Sequence, residues 1–186
     1  MARPKEFVPE EVLEQAMLTF WRTGYDGAST AELAAQMGIG KRSMYDTFGD
    51  KHALYLASLR HYMQQVETAK EEAAARATTL ADALREVLGP PPQVGGRPAG
   101  CFATLAAADV TDDDPEVREL VTAHFDRSRE RVRAQIRRFK GRVPTGAEDV
   151  VTIACDAAMG YRVRARSGAV RPGQIDRLVE FVCTQL

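Results

Sequence analysis

The sequence has no long apolar run, and no uninterrupted hydrophobic stretch approaches the ~20 residues that a membrane-spanning helix needs. Its first residues, MARPKEFVPEE, also lack the apolar core of a secretion signal. These two absences argue against a membrane protein and against an exported one. We therefore expect the chain to act in the cytoplasm, without a membrane partner.

Cysteine is scarce. The three cysteines, Cys101, Cys155 and Cys183, are odd in number, widely separated and without CxxC spacing, which argues against a disulfide framework and against a zinc site. We expect no metal and no other cofactor. Buried reduced thiols are the simplest interpretation, but Cys101 directly follows a glycine-rich segment, and a helix N-terminus there would make it an electrophile-sensitive thiol.

Neither sign of charge dominates, because 25 Lys and Arg residues face 26 Asp and Glu residues, for a net charge of −1. The chain is therefore not a polycation, and any contact with nucleic acid must come from local placement of charge. A hydrophobic content of 45% excludes a disordered chain. The 186 residues suffice for one large domain, or for a small module plus a larger one.

Signatures of the common enzyme classes are missing as well. There is no HExxH, no GxSxG and no cysteine with an evident histidine partner. The pair Gly40-Lys41 resembles the end of a phosphate-binding loop, but that motif needs Gly at the position of Ala35 and Ser or Thr at the position of Arg42. We therefore do not expect an enzyme.

What the sequence does contain is helical periodicity, since apolar residues recur at three- and four-residue spacing almost throughout. This pattern predicts an all-α fold of about nine helices. Their predicted bounds are 9–24, 29–37, 41–48, 51–75, 79–88, 101–109, 115–140, 146–167 and 172–186. The segment 89–100, GPPPQVGGRPAG, is predicted to be a mobile loop.

Residues 29–48 have the pattern of a helix-turn-helix. A capping box, Ser29-x-x-Glu32, opens a short helix, and a glycine-containing turn leads to a second short helix, KRSMYDTF. If Met44 and Phe48 face inwards, a spacing of about 100° per residue directs Arg42 and Asp46 away from the core. Such a polar outer face is suited to the major groove of DNA.

Arg42 is the first candidate for base recognition, because a guanidinium can donate two hydrogen bonds to guanine. Asp46 has two open interpretations: it accepts a hydrogen bond from cytosine, or it pairs with Arg42 one turn earlier. Other polar groups are suited to phosphates rather than to bases. These are Lys41, Ser43, Tyr45, Thr30 and the Asp50/Lys51 start of the fourth helix, with Arg3 and Lys5 as a basic arm.

Residues 3–62 resemble the N-terminal domain of the tetracycline-repressor (TetR) family. The resemblance rests on Phe20-x-x-x-Gly24-Tyr25, Ser29-Thr30-x-x-Leu33-Ala34, Met37-Gly38-Ile39 and Ser43-Met44-Tyr45-x-x-Phe48-x-x-Lys51. It implies a dimeric repressor that binds a palindromic operator in double-stranded DNA. The matching contact positions are Thr30, Lys41, Arg42, Ser43, Tyr45, Thr47 and Lys51. Gly40 stands where the family commonly has a capping Ser or Thr, and the consecutive Lys41-Arg42 and the acidic Asp46 are not its usual choices either, so no operator sequence is implied.

The resemblance further implies a DNA-binding domain at 1–55 and a ligand-binding and dimerisation domain at 56–186, whose cavity takes a small-molecule effector that releases the DNA. Pocket candidates are Phe102, Leu105, His124, Phe125, Ser128, Met159 and Arg162. In the family the last two helices pair with those of a second subunit. The small residues of helix eight and the stripe Ile175, Leu178, Val179 and Val182 fit either that seam or the internal core.

An all-α protein-interaction or scaffold module without DNA binding is the alternative function, because amphipathic helices serve that role well. Such a module would not need Arg42 and Tyr45 on an exposed face.

Overall fold

The computed structural model describes residues 7–90, 97–109 and 114–186. Within these ranges the chain forms nine α-helices and no strand. They are α1 (Pro9–Gly27), α2 (Thr30–Met37), α3 (Lys41–Phe48), α4 (Lys51–Arg76), α5 (Leu80–Leu88), α6 (Phe102–Asp109), α7 (Pro115–Lys140), α8 (Ala147–Arg166) and α9 (Gln174–Gln185). None of these described helices has the length and apolarity needed to cross a bilayer.

The ends of the N-terminal helices are set by local hydrogen bonds. Ser29 Oγ accepts from the Glu32 amide at 3.1 Å and starts α2, and Asp50 Oδ1 accepts from the Ala53 amide at 2.7 Å and starts α4. Gly38 ends α2 at a φ of +67°, where a side chain would be strained. Over the described residues the all-α prediction is confirmed, and α3 and α7 have the predicted bounds.

The end of α1 differs from the prediction. Gly24 does leave the helical region, with a φ of 76° and a ψ of 175°, but the chain resumes helical structure and α1 continues to Gly27. The predicted arm residues Arg3 and Lys5 lie outside the described residues, as do residues 91–96 of the predicted loop.

A first hydrophobic cluster packs α1 to α4 against α6 and the start of α7. Its centre is aromatic: the Trp21 ring lies edge-on to Tyr62, with centroids 4.9 Å apart, and Phe102 from α6 packs against both rings. Because α4 contributes residues as far as Val66, this cluster continues past residue 55. The domain boundary there stays a prediction.

A second cluster lies at the other end of α4. It joins Ala74, the residues Leu84, Val87 and Leu88 of α5, and buried residues of α7, α8 and α9. Ala154 and Ala158 of α8 are fully buried here, as are Val179 and Val182 of α9. Much of the small-residue side of α8 and of the apolar stripe of α9 therefore forms internal core.

Candidate nucleic-acid interface and ligand pocket

The outer face of α3 has the geometry that its sequence predicts. Met44 is 1% exposed and Phe48 packs against the first cluster, whereas the Arg42 side chain is 95% exposed. Arg42 Nε lies 3.8 Å from Asp46 Oδ2, one turn later. In the free protein the acid thus lies beside the guanidinium, in a surface pair that is weak and readily broken by a competing partner.

Three predicted contact residues, Thr30, Lys41 and Lys51, are each the first residue of a helix. The unpaired amides and the dipole of a helix N-terminus favour a phosphate at such positions. Lys41 and Tyr45 are exposed, while Thr30, Ser43, Thr47 and Lys51 are half-buried. Lys51 Nζ lies 4.4 Å from the centroid of the Tyr25 ring, a cation–π contact that orients the ammonium.

The start of α4 is tied to α7. His52 Nε2 lies 3.1 Å from Asp114 Oδ2, and the other oxygen of Asp114 accepts from the Val117 amide at 3.1 Å and caps α7. One carboxylate therefore connects the residue next to Lys51 with the first turn of α7. A shift of α7 would therefore also move His52 and the start of α4.

A small cavity, partly open to solvent, lies between α5, α7 and α8, and the empty space in and before it, open solvent included, is about 440 Å³. Of the seven predicted pocket residues, four line it: Phe125, Ser128, Met159 and Arg162. Sequence reasoning missed the other wall residues. They are Val87, Leu88, Arg129, Val132, Cys155, Asp156 and Ala158. For Val87 and Leu88 the available signal was their position at the end of an amphipathic helix, directly before a Gly-Pro break.

The other three predicted pocket residues lie elsewhere. Phe102 is 2% exposed within the aromatic centre of the first cluster, and Leu105 packs against the same cluster. His124 is buried, and its Nδ1 lies 3.0 Å from Glu67 Oε1 on α4. Cys101 is 4% exposed and belongs to the same cluster.

Glu67 is held as a carboxylate by its neighbours. Burial opposes its ionisation, but hydrogen bonds from His124 and Arg127, and the charges of Arg127 and Arg131, outweigh burial and lower its pKa to about 2. Burial lowers the pKa of His124, against the raising effect of Glu67. At neutral pH the pair therefore consists of a neutral His124 and an ionised Glu67.

This pair predicts an acid-sensitive stability. A carboxyl whose folded pKa lies near 2, below its ordinary 4.5, stabilises the fold above pH 4.5 and loses that contribution as pH falls towards 2. Glu67→Gln should lower the free energy of unfolding at pH 7 by on the order of 2–3 kcal/mol and flatten its decline below pH 4.5. Urea unfolding between pH 3 and pH 7 measures both effects.

Glu148→Gln is the matched control, since Glu148 pairs with Arg133 at the surface and should contribute far less. Parallel pH profiles for the wild type and Glu67→Gln would contradict the assignment.

The outer side of α8 and α9 exposes three large apolar side chains among charged and polar ones. Ile153 and Val163 on α8 are 54% and 50% exposed, and Phe181 on α9 is 44% exposed. Ala157 is also exposed, and its small side chain keeps this part of α8 narrow. Such a surface allows a second helix pair to approach closely.

Arg166, at the end of α8, reaches α1. Its two terminal nitrogens donate to the main-chain oxygens of Trp21 at 2.9 Å and of Arg22 at 2.8 Å. These oxygens belong to the turn of α1 immediately before Gly24. Arg162, in the cavity wall, lies one helical turn before Arg166, so α8 connects the cavity with α1.

Comparison with known proteins agrees with this geometry. Residues 12–58 match the family model described as bacterial regulatory proteins, tetR family. The HTH-type transcriptional repressor AcnR of Corynebacterium efficiens is 30% identical over 182 residues, covering 95% of this chain and 91% of that protein. The HTH-type transcriptional repressor BdcR of Escherichia coli is 25% identical over 166 residues, covering 89% of this chain and 83% of that protein.

A solved structure is similar over almost the whole length. A cysteine-substituted variant of the TetR family regulator CifR, complexed with 26-base-pair operator DNA, has a TM-score of 0.79 and 29% identity, covering 98% of this chain and 97% of that one. These proteins are regulators rather than enzymes or scaffold modules. The chain belongs to the TetR family of bacterial transcriptional regulators.

Proposed function

We propose that the chain is a repressor that acts in the cytoplasm, binds a palindromic operator as a homodimer and leaves it when a small molecule enters the cavity between α5, α7 and α8. The observation that best supports DNA binding is the outer face of α3, where the Arg42 side chain is 95% exposed and Met44 is buried on the opposite side. An arginine in this position can reach base edges in a major groove without any rearrangement of the core.

Phosphate contacts complete the DNA interface. Lys41 and Lys51 begin α3 and α4, and Thr30 begins α2, so that helix termini and side chains present donors on either side of Arg42. The residues that differ from the family pattern lie on or beside α3: Gly40, the consecutive Lys41-Arg42 and Asp46. We therefore propose an operator sequence particular to this chain.

Dimerisation is supported by the apolar outer side of α8 and α9, which includes Ile153, Val163 and Phe181. A two-fold symmetric pair of subunits places two copies of α3 on successive half-sites, which is what a palindromic operator requires. In this arrangement each subunit contributes the same surface to the seam.

The test of the whole proposal is selection of bound sites from random duplex DNA by the full-length protein. We expect a palindrome with half-sites about one helical turn apart. A screen of small metabolites for dissociation of that complex then identifies effectors. Recovery of no preferred sequence would contradict the proposed function.

Coupling between cavity and DNA predicts a specific defect. Arg166→Met removes the two hydrogen bonds from α8 to α1 and should leave operator affinity within about threefold, while reducing an effector response of about 5- to 150-fold to a small remainder. Operator affinity is measured with and without a compound found in the dissociation screen.

Arg142→Met is the control, because it removes the same charge from a residue that is exposed in the turn after α7. If Arg166→Met keeps the full effector response, α8 does not transmit the signal through this contact.

A further inference from the structure

The interior around the end of α5 contains more positive than negative charge. Lys70 on α4 and Arg162 on α8 are 4% and 8% exposed, and the side chain of Arg131 on α7 is 10% exposed. Glu67 lies 3.7 Å from Arg131 and is itself 20% exposed. Within the described ranges no carboxylate is buried as deeply as Lys70 and Arg162.

Main-chain oxygens at the end of α5 compensate these two cations in part. Lys70 Nζ donates to three of them at 2.8 to 3.2 Å, and Arg162 Nη2 donates to the oxygens of Leu88 at 3.0 Å and Gly89 at 3.1 Å. A helix C-terminus carries the equivalent of about half a negative charge. The single C-terminus of α5 therefore serves two buried cationic side chains.

The groups nearby respond to this imbalance. Burial lowers the pKa of the Lys70 ammonium well below its usual value, and the charges of Arg162 and Arg131 lower it further. The same two arginines also act to lower the pKa of His124. An anion brought to this place would meet a positive potential contributed by three helices.

Donors without acceptors are present at the same place. In the part of the chain that the structure describes, Nε of Arg162 and Nε of Arg131 are buried and have no hydrogen-bond partner. An unsatisfied buried donor is costly, and more so on a charged group. Arg162 lines the cavity, whereas the other charged wall residues, Arg129 and Asp156, lie 3.8 Å from each other and are more exposed.

The rest of the wall is mainly apolar. Val87 and Leu88 from α5, Phe125 and Val132 from α7, and Met159 from α8 surround the space next to Arg162. A ligand that fits these walls has an apolar body and one negatively charged end.

We propose that the effector is an organic carboxylate with an apolar body, and that its carboxylate pairs with the guanidinium of Arg162. This inference rests on the proposed effector-released repressor and specifies its ligand class. A planar carboxylate matches the donor fork of a guanidinium, and it would draw Arg162 away from the oxygens of Leu88 and Gly89. Movement of Arg162 would in turn displace Arg166, one turn along α8.

The first experiment uses the full-length wild-type protein. Benzoate, phenylacetate, isovalerate and octanoate are each compared with the primary amide of the same shape, and binding is measured by thermal unfolding and by titration calorimetry. We expect one or more of the carboxylates to bind at least about tenfold more tightly than its amide. Equal binding of acid and amide, binding of amides alone, or no binding by any carboxylate would overturn the proposal.

The second experiment uses variants. Arg162→Gln should weaken the bound carboxylate at least about tenfold and leave the affinity of the amide nearly unchanged. Arg129→Gln is the matched control in the same wall and should change carboxylate affinity by less than about threefold, because Arg129 already pairs with acids. If Arg162→Gln does not fold, the comparison of acids with amides in the wild type still decides the question.

The proposed repressor function and the proposed carboxylate effector can be contradicted separately. Binding of carboxylates is measured without DNA, and operator binding is measured without ligand. A protein that binds carboxylates but selects no operator would contradict the proposed function alone. A protein that binds an operator and is released by neutral compounds alone would contradict the carboxylate proposal alone.

Discussion

Arg42→Ala is expected to lower operator affinity by roughly 30-fold to 10⁴-fold while changing binding to unrelated duplexes much less. The reason is that a bidentate arginine–guanine contact discriminates by about 1–3 kcal/mol, and a homodimer would lose one such contact in each half-site. Because the Arg42 side chain is 95% exposed in the free protein, its removal should not affect folding. Binding is measured on operator and scrambled duplexes at one salt concentration.

Two further variants serve as controls for that result. Arg142→Ala removes the same charge from an exposed turn outside the DNA-binding half and should leave specificity intact. Tyr45→Phe removes a hydroxyl suited to phosphate and should weaken specific and nonspecific binding by similar factors. Equal loss on every duplex for Arg42→Ala would show that Arg42 contacts phosphate and not bases.

The helix bounds could be predicted closely because the signals that fix them are local. Ser29 and Asp50 accept from amides three residues later, and Gly38 takes up the left-handed conformation that ends α2. Gly24 shows the limit of such signals. Its positive φ breaks the helix, as expected, but a break does not determine whether the following residues resume helical structure.

The face of α3 was also predictable, since helical periodicity alone separates Met44 from Arg42. The cavity was only partly predictable, because its walls depend on how α5 packs against α7 and α8. Phe102 illustrates the difficulty: a large apolar residue at the start of a helix fits a ligand wall or a core equally well, and here it joins an aromatic cluster with Trp21 and Tyr62.

Charge burial was the least predictable feature. Nothing in the sequence around Lys70 distinguishes it from a surface lysine near the end of a long helix, and the arginines of α7 have the pattern of a solvated face. Lys70 is buried because α5 packs against it, and the last carbonyl oxygens of α5 need donors that the helix itself does not supply.

The double variant Ile153→Glu/Phe181→Glu is expected to convert the proposed dimer into monomers. These side chains are 54% and 44% exposed in the single subunit, so their further burial in the seam should contribute on the order of 1 kcal/mol each per subunit. Burying carboxylates in their place costs several kcal/mol more. The dimer dissociation constant should rise at least about a hundredfold, as sedimentation equilibrium would measure.

Val8→Glu is the matched control, because Val8 is 51% exposed but lies before α1, away from α8 and α9. It should leave the association state unchanged. A monomer contacts one half-site, so operator affinity should fall roughly 30-fold to several thousand-fold in the double variant, although α3 is intact. If the double variant sediments as a dimer, the subunits associate through another surface, and the spacing of the two α3 helices would have to be derived from that surface instead.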